Sequence, residues 1–350
     1  ETKVNLPWEL IEEILYRVPT KSLKRLGSTC KQWNALFENQ RFTKKHFDEA
    51  PKQSMVLMLK DFRGCPMNVN LNVAAPSIEF KSAISLKDSD YNPEQVYITT
   101  VFHCDGLLLC TTDDDRLVVW NPCLRETRWI QHKADYMKYS MFALGYQNNK
   151  SCRSYKILKC CWNPNAFEVY EFSSDSWKVF DKFSLEDSIP FQTGVCLKGN
   201  SYFVTIKKVL LSFDFATESF SRVCRLPVPF EDCDWIILSV AREEQLSMLH
   251  QNYRTSKMDI WMANSIDDTL SWKKTFSVEL IIPANSSFYL IDEERKVVVC
   301  CNVRHSNDHI VKIIIGEDNA YYTEHPTVTS KSWTERSCIF NYVPSLVRIQ

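Results

Sequence analysis

The pattern of apolar and polar residues changes near residue 50. Before that point, apolar residues recur at helical spacing along the stretch from Leu6 to Trp33, and one helix face would carry Leu10, Ile11, Ile14, Leu15 and Val18. From Ser54 onward, short apolar or alternating runs are separated by clusters of Asn, Asp, Ser and Pro, which is typical of β-strands joined by turns. The pattern predicts a mainly β protein with a small N-terminal helical part.

Proline residues predict the limits of the helices. Pro7 suits the first turn of a helix, and Pro19 ends that helix because the residue before a proline avoids the αR region. Thr20 is expected to cap a short second helix. A third helical pattern carries Cys30, Trp33, Leu36 and Phe37, and a connecting helical pattern follows from Arg41. Because Pro51 ends that pattern, we predict a helical unit of residues 1–50 and a β unit of residues 51–350.

The β part repeats along the chain. Strands that begin at about 107, 142, 194, 237 and 287 are each followed by further strands and polar turns, so the period is close to 45 residues, as in β-propellers. The run from Cys338 would start another repeat. We expect strands near the C-terminus to close the ring by pairing with strands of residues 55–105, because an open sheet edge promotes aggregation. The spacing predicts about six blades, with seven as the second choice and a pair of β-sandwiches as the alternative fold.

Composition and charge narrow the classes of function. The 350 residues are 45% hydrophobic and 24% charged, with a formal net charge of −1, so the sequence offers no basic excess for nucleic acid or for an anionic membrane. The sequence contains neither an apolar run long enough for a membrane helix nor a secretory signal pattern, and a cytoplasmic or nuclear location is expected. The 14 cysteines are expected to be reduced, mostly buried thiols.

Candidate catalytic and metal-binding groups have simpler explanations as structural residues. The pairs Glu243-Glu244 and Glu293-Glu294 read as solvated turns, and His305 and His309 fall in a loop pattern that would not place them on one helix face. The sequence has no C-x-x-C pair, nucleophile elbow, Walker A loop or Rossmann glycine pattern. Trp120-Asn121-Pro122 is interpreted as the end of a buried strand before a turn. We therefore predict no cofactor, no metal site and no catalytic residue.

The helical stretch resembles a known motif. Leu6-Pro7, Leu10, Ile14-Leu15, Val18-Pro19, Lys21-Ser22-Leu23, Cys30-Lys31 and Trp33 follow one another as they do in the F-box. Gly27-Ser28-Thr29 departs from it, because relatives more often carry bulkier apolar residues before the cysteine. Without this ordered match, the stretch would read as an amphipathic helical cap on its own domain.

The remaining chain is similar to the plant F-box-associated interaction domain. The similarity is carried by GLLLC (106–110), VVWNPCLRETRWI (118–130), FALGY (142–146), YKIL (155–158), VYEFSSDSW (169–177), GVCLKGNSYF (194–203), LLSFDF (210–215), LSVAREEQLSML (238–249), DIWM (259–262), IDEE (291–294), IIIGED (313–318) and NYVPSLVRIQ (341–350). The paired glycines of kelch repeats and the Trp-Asp endings of WD repeats are missing. Because there are only 7 glycines, we expect the turns to use Asn, Asp and Ser.

The resemblance implies the substrate-recognition subunit of a Skp–cullin–F-box ubiquitin-protein ligase. Such a subunit joins the Skp adaptor, and through it a cullin, to a target protein, and it acts by proximity without a chemical step of its own. The adaptor-binding residues implied are Leu6, Pro7, Leu10, Ile14, Leu15, Val18, Pro19, Leu23, Cys30 and Trp33, with Lys21 and Lys31 as rim contacts. Two alternatives remain: an F-box scaffold protein without a degradation role, and a propeller enzyme with a helical cap.

The target protein is not identified by the sequence. Propellers bind partners through loops at one end of the blades, so the long connections are the candidates for the target face. These connections are residues 131–140, 147–153, 184–192, 251–257 and 303–309.

Overall fold

The computed structural model describes residues 6–52, 54–70, 77–88, 92–132, 140–148, 152–161, 167–180, 194–228, 234–242, 244–252, 254–255, 257–264, 270–279, 286–303, 309–315, 321–324 and 338–350. Its four helices are α1 (Trp8–Tyr16), α2 (Thr20–Gly27), α3 (Lys31–Glu38) and α4 (Gln40–Glu49). None of the helices in this part of the chain is both long and apolar enough to cross a membrane.

The helix limits follow the prolines, with one difference from expectation. Pro7 and Pro19 occupy the N-cap positions of α1 and α2, and α1 ends at Tyr16 before Pro19 is reached. The prediction that Thr20 caps α2 is wrong. Thr20 is the first helical residue, and its hydroxyl donates a hydrogen bond to the carbonyl oxygen of Pro344, 3.0 Å away. The side chain is therefore used to hold α2 on the β part of the protein.

Twenty-six strands follow the helices in the described residues. The first nine are β1 (Met55–Lys60), β2 (Arg63–Asn70), β3 (Ser77–Phe80), β4 (Lys87–Asp88), β5 (Asn92–Gln95), β6 (Ile98–Cys104), β7 (Leu107–Thr112), β8 (Leu117–Asn121) and β9 (Glu126–Ile130). The next eight are β10 (Ser140–Asn148), β11 (Arg153–Cys161), β12 (Phe167–Glu171), β13 (Ser176–Phe180), β14 (Val195–Leu197), β15 (Asn200–Val204), β16 (Val209–Asp214) and β17 (Ser219–Arg225). The last nine are β18 (Trp235–Ala241), β19 (Gln245–Asn252), β20 (Lys257–Ala263), β21 (Trp272–Glu279), β22 (Ser286–Asp292), β23 (Val297–Val303), β24 (His309–Ile315), β25 (Tyr321–Glu324) and β26 (Ile339–Tyr342).

These strands form antiparallel four-stranded sheets, as expected for a propeller. Five sheets use four consecutive strands each, β6–β9, β10–β13, β14–β17, β18–β21 and β22–β25. A further sheet has the order β26-β1-β2-β3, and β4 and β5 form a separate pair. In that further sheet Met58 lies opposite Ile339, so a C-terminal strand pairs with the first strand of the β part. The predicted closure of the ring by the two ends of the chain is confirmed.

The prediction of six blades around the ring is wrong, because five sheets close it. The first strands of successive sheets contact one another in the order β6, β14, β18, β22 and β26. The ring is completed where β1, which pairs with β26, contacts β6. The sheet that begins with β10 packs against β6, β14 and β15, although β6 and β14 also contact each other directly. The repeat in the sequence predicts how many sheets form, but only the contacts between the sheets decide which of them surround the axis. The alternative of seven blades is excluded on the same grounds.

Direct contact between β6 and β14 also corrects the expectation for the cysteines. Cys104 and Cys196 form a disulfide, with their Cα atoms 5.4 Å apart and 92 residues between them in the chain. Nine other described cysteines form no disulfide. Four of the nine, Cys65, Cys110, Cys300 and Cys338, are buried and the other five are half-buried, so the expectation of mostly buried thiols holds for fewer than half of them. The repeat pattern does not reveal this pair, because it places the two cysteines in different sheets with another sheet between them.

Several tight turns use residues other than those expected. Among the residues that the structure describes, eleven non-glycine residues have a positive φ, and they include four aspartates but no Asn or Ser. The others are Phe62, Arg125, Lys198, Lys208, Glu218, Arg242 and Lys296. Left-handed backbone is strained in such side chains, so the surrounding sheets must hold these turns in place. Asp is thus the one residue type of the predicted three that takes these left-handed positions, while Asn121 and Asn252 shape other turns by accepting backbone N–H groups two and three residues ahead.

The order of the strands defines two faces of the propeller. Antiparallel strands alternate in direction, so turns between the first and second strands, and between the third and fourth, lie on one face. Asp105 and Cys123 belong to such turns, and both contact the helices: Arg153 joins Asp105 to Asp48 of α4, and Lys24 of α2 donates to the carbonyl oxygen of Cys123. We call this the helix-side face and the opposite one the far face.

Candidate functional site

Helix α1 exposes an apolar surface to solvent. Leu6, Leu10 and Ile14 are 52%, 50% and 53% exposed, and Trp8 is 40% exposed. These four side chains account for half of the large hydrophobic residues that the described part of the protein exposes. Contiguous exposed apolar side chains of this kind mark interaction sites more often than isolated ones do. We refer to Leu6, Trp8, Leu10 and Ile14 as the α1 apolar surface.

The opposite side of α1 is fixed by a small core. That core contains Leu15, Tyr16, Leu23, Phe37, Phe42 and Leu346. The ring of Tyr16 stacks on that of Phe42, with centroids 4.8 Å apart. Because Leu346 comes from the C-terminal segment, the helices complete their core with the β part of the protein rather than alone.

Polar contacts also hold α1 against α4. Lys45 Nζ lies 2.7 Å from Glu13 Oε1, and this hydrogen bond holds the pKa of Glu13 below its ordinary value. His46 Nε2 lies 2.8 Å from the carbonyl oxygen of Val18, and burial lowers the pKa of this imidazole. These contacts keep the α1 apolar surface directed away from the rest of the molecule.

The residues implied by the F-box resemblance fall into three groups. Leu6, Pro7, Leu10, Ile14, Lys21 and Lys31 are exposed. Val18, Pro19, Cys30 and Trp33 are half-buried. Leu15 and Leu23 are 4% and 0% exposed, so these two side chains support the surface from within. Trp8 was missed by the motif comparison, and it lies between Leu6 and Leu10 in the exposed group.

Arg153 connects the helices to the propeller. Its guanidinium lies 2.7 Å from Asp48 of α4 and 2.7 Å from Asp105 in the turn between β6 and β7. It is also placed near the rings of Phe47 and Tyr146, 4.9 Å and 4.6 Å from their centroids. Burial raises the pKa of Asp105, and the charge of Arg153 opposes that rise.

The C-terminal segment of residues 343–350 forms a second connection. It lies on the helix-side face, where Asn121 Nδ2 donates to the carbonyl oxygens of Ser345 and Val347 at 3.2 Å and 2.8 Å. Arg348 then pairs with Glu38 of α3 at 3.0 Å and with Glu126 of β9. Asn121 has this structural role, in agreement with the interpretation of Trp120-Asn121-Pro122.

Most of the predicted target loops belong to one face. The segments 131–140, 184–192, 251–257 and 303–309 join strands that end at the far face, whereas 147–153 joins β10 to β11 on the helix-side face. Residues 184–192, and parts of the others, lie outside the described residues. The four far-face connections are thus on the side of the propeller opposite the α1 apolar surface.

The acidic and histidine pairs form no recognisable reaction centre where they can be seen. Arg242 lies 3.6 Å from Glu293 and 3.2 Å from Glu294. Glu243 and His305 lie outside the described residues, and His309 begins β24. In the described ranges, no group of three or more His, Cys, Asp or Glu side chains is arranged to hold a metal ion.

Comparison with known proteins gives two family matches that together span most of the chain. Residues 4–45 match the family described as "F-box domain", and residues 55–349 match "F-box associated beta propeller domain". A relative from Arabidopsis thaliana named "Putative F-box only protein 9" is 55% identical, covering 99% of this chain and 96% of its own. Another from the same organism, "F-box protein At3g22700", is 52% identical over 86% of this chain and 93% of its own.

Proposed function

We propose, since the chain belongs to the family of F-box proteins that carry an F-box associated beta-propeller domain, that it is the target-recognition subunit of a Skp–cullin–F-box ubiquitin-protein ligase. The observation that carries the proposal is the α1 apolar surface, which lies within the matched F-box and has no partner in the described protein. The chain would raise the local concentration of a target near the ubiquitin-carrying partner and would perform no reaction itself.

The α1 apolar surface is suited to a groove on the Skp adaptor. An amphipathic helix that places its apolar side chains in a hydrophobic groove is a common mode of recognition. Trp8 is suited to be an anchor, because tryptophan is enriched among residues that dominate binding energy. Lys21 and Lys31 are exposed within the matched F-box and would meet acidic groups of the adaptor at the rim. Leu15 and Leu23 would contribute by holding the helices in place.

The far face of the propeller is our candidate for the target. Four of the five long connections join strands that end there, and loops carried by a rigid scaffold are frequent binding sites. Binding there would leave the α1 apolar surface free for the adaptor. A cytoplasmic or nuclear location belongs to the same proposal.

Co-purification of the full chain with a plant Skp adaptor tests adaptor binding. The variant Leu10→Asp plus Ile14→Asp places two charges where a partner would bury apolar groups, at a cost of several kcal/mol. Both side chains are about half exposed, so the variant should fold normally. Val179→Asp is the matched control, because Val179 is a 61% exposed valine on β13 of the propeller.

Wild type and the Val179→Asp control should retain the adaptor, and the double variant should lose it. Equal retention of all three by the adaptor would exclude the α1 apolar surface as the binding site. A folded wild-type chain that fails to bind would overturn the ligase proposal itself. A ligase subunit that cannot bind the adaptor should let its target protein accumulate. If adaptor binding depends on the α1 apolar surface but no target protein accumulates in cells that carry the double variant, a scaffold role without degradation is favoured.

A further inference from the structure

A chamber lies on the axis of the five-sheet ring. Its volume is about 580 Å³, within the range of about 300–1,000 Å³ that small-molecule sites occupy. Residues of β6, β14, β18, β22 and β26 form most of its wall, and Tyr146 of β10 and Arg153 of β11 add to it. Phe47, Asp48 and Lys52 line it from the helical unit. The chamber is therefore closed partly by the F-box side of the protein.

The wall of the chamber is mainly apolar and carries no excess charge. Its apolar side chains include Val101, Phe102, Leu238, Val240, Tyr289 and Phe340. The acidic residues Asp48, Asp105 and Glu244 are matched in number by the basic residues Lys52, Arg153 and Lys198. Two of these charges, Asp105 and Arg153, already pair with each other at 2.7 Å. The wall thus favours neither an anion nor a cation.

Two polar groups in the wall have hydrogen-bonding capacity left over. His103 Nε2 accepts a hydrogen bond from the backbone N–H of Gly106 at 3.1 Å, so the ring proton is on Nδ1. Burial lowers the pKa of His103 to about 4, which keeps the ring neutral at physiological pH. Within the described residues, neither His103 Nδ1 nor the side-chain amide of Asn341 has a hydrogen-bond partner. Both residues line the chamber.

We propose that this chamber binds one uncharged small organic molecule that has an apolar ring system and a hydrogen-bond acceptor directed at His103 or Asn341. The apolar wall would bury the ring system, and the unpaired donors would fix its orientation, as in most small-molecule sites. Because Phe47 and Asp48 of α4 line the chamber, an occupant would contact both units of the chain. The proposal concerns a site separate from the α1 apolar surface, and it does not depend on adaptor binding.

Titration of the full chain with prodan, an uncharged naphthalene that carries one ketone acceptor, tests this site. Its fluorescence shifts to the blue and strengthens when it leaves water, so binding can be followed directly. We expect saturable binding of one molecule per chain. Val240→Phe fills part of the chamber and should weaken binding about tenfold or more. Asn341→Leu keeps the size of the side chain but removes its donor and should weaken binding severalfold.

Val179→Phe, the same change on the outside of the propeller, should leave prodan binding unchanged. Thermal unfolding establishes which variants fold. If Val240→Phe does not fold, the prodan affinity of Asn341→Leu tests the site instead. Three results would each overturn the proposal: no saturable binding to wild type, affinity in the folded chamber variants equal to that of wild type, or more than one equivalent site. Displacement of prodan by the anionic dye 1-anilinonaphthalene-8-sulfonate would refute the uncharged class of ligand.

Discussion

Arg153 of the propeller forms an ion pair with Asp48 of helix α4, with 2.7 Å between Nη2 and Oδ1. The two residues are 105 positions apart in the chain. The other side of the same guanidinium pairs with Asp105, to which Tyr155 also donates a hydrogen bond at 3.1 Å. The F-box and the propeller are thereby held in one relative orientation, so a target on the propeller would be presented at a fixed position relative to the adaptor.

Arg153→Gln should lower the free energy of unfolding by about 3–5 kcal/mol. The side chain of Asp105 is only 13% exposed, and removing one partner leaves a buried carboxylate without its counter-charge. Asp48→Asn should cost at most about 1 kcal/mol, since the side chain of Asp48 is 48% exposed. Urea unfolding followed by circular dichroism measures both changes. Similar losses for the two variants would argue against Asp105 as the residue that depends on Arg153.

Asn121→Asp should release the C-terminal segment from the helix-side face. The Asn121 side chain donates to the carbonyl oxygens of Ser345 and Val347 and accepts from the backbone N–H groups of Cys123 and Leu124. An aspartate keeps the acceptor but turns a carboxylate oxygen toward two carbonyls. Because the site is fully buried, we expect a loss of about 2–4 kcal/mol.

Hydrogen exchange of residues 343–350 measures this release, and Asn121→Ser provides an uncharged comparison. We expect the exchange rate of this segment to increase more in the aspartate variant than in the serine variant. Unchanged protection of the segment in both variants would mean that other contacts hold it.

Leu23→Ala should mainly lower the stability of the protein, whereas Leu10→Ala should mainly lower its affinity for the adaptor. Leu23 is fully buried in the core shared by the helices and Leu346, so its truncation should cost about 2–5 kcal/mol. Leu10 is half exposed, and its truncation should change stability by less than about 0.5 kcal/mol. Adaptor affinity, measured at a temperature where both variants are folded, should fall more for Leu10→Ala. The reverse order of affinity would place the adaptor on another surface.

The free energy of unfolding should decrease as the pH falls from about 6.5 to about 4. Burial lowers the pKa of His103 to about 4, so over this range the unfolded chain binds a proton that the folded chain does not. The loss attributable to His103 between pH 7 and pH 5 should be about 1–2 kcal/mol. His46, whose pKa is also lowered by burial, contributes in the same direction.

Urea unfolding at pH 5, 6 and 7 of wild type and His103→Gln tests this. Glutamine can accept the hydrogen bond from Gly106 but does not titrate, so the variant should show a shallower dependence on pH. Identical slopes for the two proteins would mean that His103 is already protonated in the folded state or is not shielded from water.

The sequence by itself determined the features that depend on local pattern. Helical spacing and the prolines at 7 and 19 predicted the first helices, because the backbone limits around proline act within one or two residues. Repeated strands predicted a propeller and its closure by both ends of the chain, because a sheet edge must be paired wherever it lies. The ordered residues from Leu6 to Trp33 identified the F-box for the same local reason.

Only the tertiary structure decided how those elements face one another. Helical periodicity groups Leu10, Ile14 and Leu15 together, but packing against α4 and Leu346 buries Leu15 and leaves the other two in solvent. The direct contact of β6 with β14 closed the ring with five sheets and brought Cys104 to Cys196. Such contacts join residues far apart in the chain, and their energy depends on burial and distance in three dimensions, which no spacing in the sequence records.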